Sequence, residues 1–416
     1  MVKILIISES IDIEDSSGSK VNVALIQNLK KIGYQVKVLH YTRKEIQLGS
    51  DIECISIPEI KFSLNYVLSR TQRIVQRVLK VDLSIFLEKI FGNSFTFFND
   101  SKSISKAIKK CFNDEDIIFT LSKGASFRPH HAMLSLPNLH DKWLAYIHDP
   151  FPFHCYPRPY DFLNKGAFYK ENFMKLVSLK AKYSGFPSLY LQEWMGSYFP
   201  SFLKSGIVIP HQNLEIKNSV NNCKIDYFDK KKFNMLHAGN LMKERNPEGL
   251  IKGYKLFLER NPRAKEVTKL ILLGQARDHK EYIKSNINKN LYWSDGNVPF
   301  AEVNDIQNEV SVNIILEAKG HISPFLPGKF PHIINANKPV LLLGPYYSES
   351  KRLLGNDYPF ITEIDDVDKI SKLIEQLYFN WIENKNQQLG REELADYCGL
   401  PNLEKQMNQL FYSVTK

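Results

Sequence analysis

Cysteine is sparse and unpatterned in this chain. Cys54, Cys111, Cys155, Cys223 and Cys398 form no CxxC pair and are odd in number. That spacing excludes a disulfide framework and a cysteine-based zinc site, and it points to a reducing, cytoplasmic compartment. No stretch approaches the roughly 18 continuous apolar residues a membrane-spanning helix needs. The opening Met1-Val-Lys-Ile-Leu-Ile-Ile-Ser is too short for a signal-peptide core and reads as a first strand. No GxGxxG follows that strand, so a nicotinamide enzyme is not expected. The GxxxxGK[ST], HExxH and GxSxG signatures of NTPases, zinc proteases and serine hydrolases are also missing. There is no internal repeat and no low-complexity run.

What remains is an ordinary globular composition of 416 residues and 48.2 kDa. At roughly 150 residues per domain this is two or three domains. Lys and Arg number 55 against 45 Asp and Glu, a net charge of +10. The excess favours acidic partners such as nucleotide phosphates, anionic lipid or nucleic acid, without choosing among them.

The first forty residues read as a βαβ unit: a strand over Lys3–Ser8, a loop carrying Ser16-Ser-Gly-Ser19, a helix over Lys20–Ile32, then Gly33 and a strand over Gln35–His40. Buried strands are expected at Ile117–Thr120, Leu144–Ile147, Ser188–Leu191 and Gly206–Ile209. The pattern lapses into a polar stretch after Pro210 and resumes at Phe233–His237, followed by strands near Lys269–Leu273, Asn313–Leu316 and Pro339–Leu343 with helices between them. Short apolar strands alternating with helices indicate α/β architecture with parallel sheets covered on both faces. The expectation is two doubly wound, Rossmann-like domains facing each other across a cleft, residues 1–210 and 211–399, with a last helix at about 400–416 returning to the first.

Residues 61–91 break that rhythm. Apolar Leu64, Val67, Leu68, Ile74, Val75, Val78 and Leu79 recur at helical spacing beside a basic stripe of Arg70, Arg73, Arg77 and Lys80. One reading is an amphipathic surface helix packed on the core; the other is an interfacial helix on anionic lipid or an acidic acceptor. Two Asp-x-Asp matches, Asp114-Glu-Asp116 and Asp366-Val-Asp368, could hold a diphosphate-bound metal, but they read as a turn and a helix cap. No metal site is assigned.

Two blocks carry chemistry. In Phe233-Asn-Met-Leu-His-Ala-Gly239-Asn240-Leu-Met-Lys-Glu-Arg245-Asn246-Pro247 a strand ends in glycine, and a cationic loop leads into a helix opened by proline, which aims N–H groups and a cation at one anion. In Ser323-Pro-Phe325-Leu-Pro327-Gly328-Lys329-Phe-Pro-His332, ahead of Lys338-Pro-Val, a Gly/Pro/Ser loop delivers a lysine at a helix start. In the first half, His148-Asp-Pro follows a buried strand at its carboxyl edge, where imidazole can donate or accept at neutral pH.

These blocks resemble the retaining glycosyltransferases of the two-Rossmann GT-B type, in particular glycosyltransferase family 4. Against the family's Gly-Arg-Leu-x-x-x-Lys-Gly, Gly239 takes the glycine, Arg245 the lysine, and Asn240 stands where arginine is expected. The family's two glutamates fall on Pro324 and His332, with His332 the substitute ribose contact. The resemblance implies catalytic roles for His148, Arg245 and Lys329. It implies donor binding by Gly18, Gly239, Asn240, Arg245, Gly274, Ser323, Phe325, Pro327, Gly328, Lys329 and His332. The donor would be a UDP- or GDP-sugar, the acceptor a saccharide or lipid-linked saccharide, with no metal, no further cofactor and no nucleic acid partner. Peripheral contact with the inner face of a membrane would run through 61–91. A sugar-nucleotide epimerase of the same layout and a non-catalytic basic binding protein are the alternatives.

Overall fold

The computed structural model describes residues 2–80, 82–162, 165–214 and 225–412; Cys223 and most of the polar stretch after Pro210 lie outside them. The chain divides into two compact units. One comprises Met1–Tyr156, Asp161–Leu214 and Gly399–Lys416; the other comprises Pro157–Tyr160 and Glu215–Cys398.

The first unit is built on β1 (Lys3–Ser8), β2 (Gln35–His40), β3 (Glu53–Ser56), β4 (Ile117–Leu121), β5 (Trp143–Tyr146), β6 (Tyr183–Phe186) and β7 (Gly206–Val208), ordered β3-β2-β1-β4-β5-β6-β7. Every pair is parallel, and β1 and β4 are buried nearly end to end because helices cover both faces. Its helices are α1 (Ser17–Lys31), α2 (Leu64–Leu79), α3 (Ser84–Phe91), α4 (Phe95–Cys111), α5 (Arg128–Leu134), α6 (Ala167–Lys180), α7 (Leu189–Tyr198) and α8 (Ser201–Ser205).

The second unit repeats the plan with β8 (Phe233–Ala238), β9 (Thr268–Leu273), β10 (Leu291–Trp293), β11 (Val312–Leu316), β12 (Ile322–Ser323), β13 (Val340–Leu343), β14 (Tyr347–Ser348) and β15 (Ile361–Thr362). The main sheet runs β10-β9-β8-β11-β13-β15, with β12 and β14 paired separately. Around it lie α9 (Glu248–Arg260), α10 (Lys280–Lys284), α11 (Phe300–Glu309), α12 (Phe330–Asn335), α13 (Glu349–Leu354), α14 (Val367–Glu383) and α15 (Glu392–Tyr397). The last helix, α16 (Leu400–Tyr412), belongs to the first unit, where the Tyr183 hydroxyl donates to the Leu410 carbonyl at 3.3 Å and the Tyr34 and Phe411 rings lie 5.7 Å apart.

In both sheets the strand order reverses beside the first strand, between β1 and β4 and between β8 and β11. Two neighbouring carboxyl ends are followed there by connections that leave in opposite directions, opening a crevice for a ligand.

Three expectations are corrected. Ser188–Leu191 is not a strand: Ser188 caps α7 by accepting from the Leu191 N–H, and the strand is the preceding β6. Gly18 lies inside the first turn of α1, capped by Ser16, rather than in a loop. Residues 61–91 form two helices, because Lys80 adopts a left-handed conformation that ends α2. The surface-helix reading holds only in part: Leu68 and Val75 are half-buried on the inward side of α2 together with Asn65, Ser69, Gln72 and Gln76, whereas Leu64, Val67, Ile74 and Val78 are exposed. The Asp-x-Asp readings agree with the geometry: Asp114 has φ +55° and pairs with Lys142, and Asp366 caps α14.

The second core depends on close approach of α9 to α14. A Cβ on Gly249 would lie 2.0 Å from the Ile364 carbonyl oxygen, and one on Gly253 would lie 2.6 Å from Ile370 Cγ2. Alanine at Gly249 would gain about 1 kcal/mol of helix propensity but force apart a backbone contact, an overpacking cost of roughly 1–3 kcal/mol or more. We expect Gly249→Ala to lower the apparent melting temperature; an unchanged or raised value would contradict this packing.

Candidate active site

The site of the second unit assembles at the carboxyl ends of β8 and β11. Strand β8 ends in Ala238-Gly239, and Gly239 at φ +154° lets the chain turn directly over the end of β9. Its N–H donates to the Leu273 carbonyl at 2.7 Å, and the Leu241 N–H donates to the Gln275 carbonyl at 2.8 Å. Gly274 is packed so tightly below that an added Cβ would sit 2.6 Å from the Gly239 carbonyl oxygen. Asn240 stitches the same two loops, its Oδ1 accepting from the Gln275 N–H at 3.0 Å. The asparagine found where a cation was expected thus has a structural task.

Lys329 caps the short helix α12 and reaches back to this floor. Its Nζ lies 3.1 Å from His237 Nδ1, 3.4 Å from the Ile314 carbonyl oxygen, and 3.7 Å from where a Gly239 Cβ would stand. The ammonium is thereby lodged between β8 and β11 at the strand reversal. Burial and the nearby Arg245 guanidinium lower the Lys329 pKa to about 7, with Glu317 opposing. His237, buried and beside Lys329 and Arg245, is driven well below the usual imidazole range. The pair is too close and too dry to carry two protons.

Arg245 donates to the hydroxyl of Tyr160, a residue of the Pro157–Tyr160 segment that groups with this unit, and the Tyr160 ring packs edge-on against Phe325 at 5.8 Å. Glu317, immediately after β11, is fully enclosed. Ser350 Oγ donates to its Oε1 at 2.7 Å, while burial raises its pKa against the help of Ser350, Ser348 and Ser323. Gly344 makes room for it, since a Cβ there would lie 2.8 Å from Glu317 Oε2. Arg245, a largely neutral Lys329 and a buried carboxyl therefore share one pocket, an arrangement ready to gain charge when an anion enters.

Sequence reasoning brought Gly239, Asn240, Arg245, Gly274, Phe325 and Lys329 to one place. It missed Glu317, His237 and Tyr160. Glu317 was findable as the only acidic residue directly following an apolar strand of this half, whereas Tyr160 joins the site only through chain folding. Ser323 lies on β12 beside Glu317. Pro327 and Gly328 form the turn before Lys329, with the Phe330 N–H donating to the Pro327 carbonyl at 2.8 Å. His332 sits in α12 with its ring edge-on to Phe300 of α11 at 5.1 Å.

In the first unit, His148 follows β5. Among the described residues neither of its ring nitrogens has a hydrogen-bond partner; it packs on Tyr146 at 4.6 Å and His211 at 5.9 Å. Burial first, then His211 and His130, hold it well below the usual range, so it is neutral at physiological pH. Gly18 backs onto the Gly124 N–H, 3.3 Å from where its Cβ would be. A cavity of about 660 Å³ opens near the β1 and β4 carboxyl ends, lined by Glu9, Asp12, Asp15, Asp100, Arg43 and Arg128 among others. Arg128 bridges Glu9 at 2.5 Å and Asp100 at 3.0 Å, and Lys123 pairs with Asp15 at 2.6 Å. Such a lining of alternating donors and acceptors suits a polyhydroxylated ligand better than an apolar one.

The chain matches no family model and no curated protein. Solved structures do match it. A glycosyltransferase from Rickettsia africae is 14% identical with a TM-score of 0.60, covering 100% of this chain and 99% of that one. A UDP-forming α,α-trehalose-phosphate synthase from Burkholderia xenovorans, in complex with glucose-6-phosphate, is 8% identical with a TM-score of 0.65, covering 98% and 99%. Anabaena HepE in complex with UDP and glucose is 11% identical with a TM-score of 0.57, covering 99% and 100%. The chain has the GT-B fold.

Because Lys329 titrates near 7 in the folded chain but near 10.5 when unfolded, the unfolded state binds more protons between those values. Folding stability should therefore rise with pH across that window, by at most about 1.4 kcal/mol per pH unit from this group. Denaturant unfolding from pH 7 to 9 should show a shallower rise for Lys329→Met than for the wild type; parallel curves would contradict the buried, neutralised lysine.

Proposed function

We propose that this chain is a glycosyltransferase that moves a sugar from a nucleoside-diphosphate donor, held by the second unit, to a saccharide or lipid-linked saccharide held by the first. The observation carrying the proposal is the convergence of Lys329 and Arg245 on one pocket at the β8/β11 reversal, with the buried Glu317 beside them. When the bond between the anomeric carbon and the diphosphate breaks, negative charge grows on the leaving oxygen. Arg245, and Lys329 once the bound diphosphate has restored its proton, answer that charge from fixed positions without reorganising at the moment of reaction.

The remaining assignments follow from this polarity. Gly239 and Gly274 keep side chains out of the pocket floor, so a diphosphate can approach the backbone closely. Neutral His148 is suited to hydrogen-bond sugar hydroxyls, donating from one ring nitrogen and accepting at the other. The Glu9–Arg128–Asp100 network offers paired donors and acceptors to an acceptor saccharide. Retention of anomeric configuration is what the family resemblance implies. The names of the structural neighbours, UDP-forming or solved with UDP, favour uridine over guanosine as the donor base.

Removing one preorganised donor to a developing anion costs roughly 10²–10³ in turnover. Lys329→Ala should therefore slow sugar transfer by about that factor, measured as nucleoside-diphosphate release in the presence of acceptor across a panel of UDP- and GDP-sugars. Wild-type turnover in that variant would remove the assignment. Conversion of a UDP-sugar to a stereoisomer with no acceptor present would replace it with epimerase chemistry.

A further inference from the structure

An amphipathic helix on a protein surface ordinarily turns its apolar stripe to the core. Helix α2 does so only in part. Its inward side mixes half-buried Leu68 and Val75 with Asn65, Ser69, Gln72 and Gln76, and only Ser69 is fully buried. The opposite stripe is open to solvent, with Leu64 75%, Val67 56%, Ile74 62% and Val78 71% exposed. Phe62 precedes it at 99%. Helix α3 continues the pattern with Phe86 at 64% and Ile90 at 44%, one turn apart. At its end Gly92 abuts Tyr169 of α6, beside Phe168 at 77% exposed. Of the large apolar side chains exposed among the described residues, nine of 23 fall in this one stretch of 61–91. Contiguous apolar surface on that scale marks an interaction site.

Charge says what covers it. Within 61–91, Lys61, Arg70, Arg73, Arg77, Lys80 and Lys89 outnumber Asp82 and Glu88; Glu88 is occupied by Lys170 at 3.1 Å, and Arg70 lies 3.8 Å from Glu59 outside the segment. On the helical wheel Arg70, Arg73 and Arg77 run along one border of the apolar stripe, between it and the protein body. An apolar face bordered by arginines matches the depth profile of an anionic bilayer surface, apolar side chains below the headgroups and guanidinium groups level with the phosphates. A second copy of this chain is a poor occupant, because a symmetric contact would oppose two faces of net charge +4 each. Among the described residues no helix is long and apolar enough to cross a membrane, so the contact lies along the surface.

We propose that α2 and α3 form a docking surface for anionic phospholipid membranes, inserting the Leu64, Val67, Ile74 and Val78 stripe while Arg70, Arg73 and Arg77 engage headgroup phosphates. The proposal rests on the exposed stripe and its charges, not on the transferase reading. It could fail while that reading stands.

The full chain should co-sediment with vesicles of phosphatidylcholine containing about 30% phosphatidylglycerol, bind pure phosphatidylcholine vesicles far less, and lose binding as salt rises through the range where charges are screened. A Val67→Asp, Ile74→Asp, Val78→Asp triple variant should bind at least about ten-fold more weakly, with an unchanged or raised melting temperature because those side chains already face water. Arg73→Gln with Arg77→Gln should weaken binding to phosphatidylglycerol vesicles and flatten its salt dependence. The proposal is overturned if the wild type does not bind the anionic vesicles at low salt, or if the triple variant binds as the wild type does. It is also overturned if the triple variant melts markedly earlier, or if it merely converts a dimer to a monomer without loss of vesicle binding.

Discussion

A lysine amine wedged between two parallel strands, with no carboxylate among the described residues bonded to it, governs the chemistry of the second unit. Lys329 Nζ rests on His237 Nδ1 and the Ile314 carbonyl, at the only kind of place an open parallel sheet offers for a ligand: outside the carboxyl ends of two strands whose connections diverge. Desolvating a cation is costly, and a protein ordinarily relieves the cost with a paired acid or by shedding the proton. Here the second route dominates, with Lys329 brought down to about 7 and Arg245 adding to the pressure. The pocket is therefore poised to gain a proton and a full charge when an anion arrives.

The surrounding structure maintains that poise rather than relieving it. Glu317 is close enough to oppose the shift, yet burial raises its own pKa, and hydroxyls from Ser350, Ser348 and Ser323 support its ionised form. Full ionisation of Glu317 beside Lys329 would neutralise the site. Complete removal of the acid would leave two cations unbalanced in a dry space. Gly274 and Gly344 hold backbone and carboxylate at separations that a Cβ would break. Tyr160 steadies Arg245 from a segment whose neighbours in sequence belong to the other unit.

Much of this was legible in the residues. Strands such as β1 and β13 are buried on both faces, and Ile4–Ile7 and Val340–Leu343 are accordingly written as continuous apolar runs. β3, β10 and β15 are short and mixed, Glu53-Cys-Ile-Ser, Leu291-Tyr-Trp and Ile361-Thr, and give no such run. Ser188–Leu191 misleads because three apolar residues in a row fit either period, and only the Ser188 cap distinguishes them. Lys329 and Arg245 were readable from loop-to-helix grammar. Glu317 was equally readable as an acid directly after an apolar strand, but alignment to a family spacing directs attention to Pro324 and His332 instead. The orientation of α2 lay beyond reach altogether: periodicity defines two faces of a helix, and only packing decides which one turns inward.

The central claim is that a neutralised Lys329 recovers its charge when a diphosphate binds. Calorimetry of UDP binding at pH 8, in two buffers of different ionisation enthalpy, counts the protons exchanged. The account predicts uptake of close to one proton per UDP by the wild type, and close to none by Lys329→Met. Equal proton counts in the two proteins would contradict it.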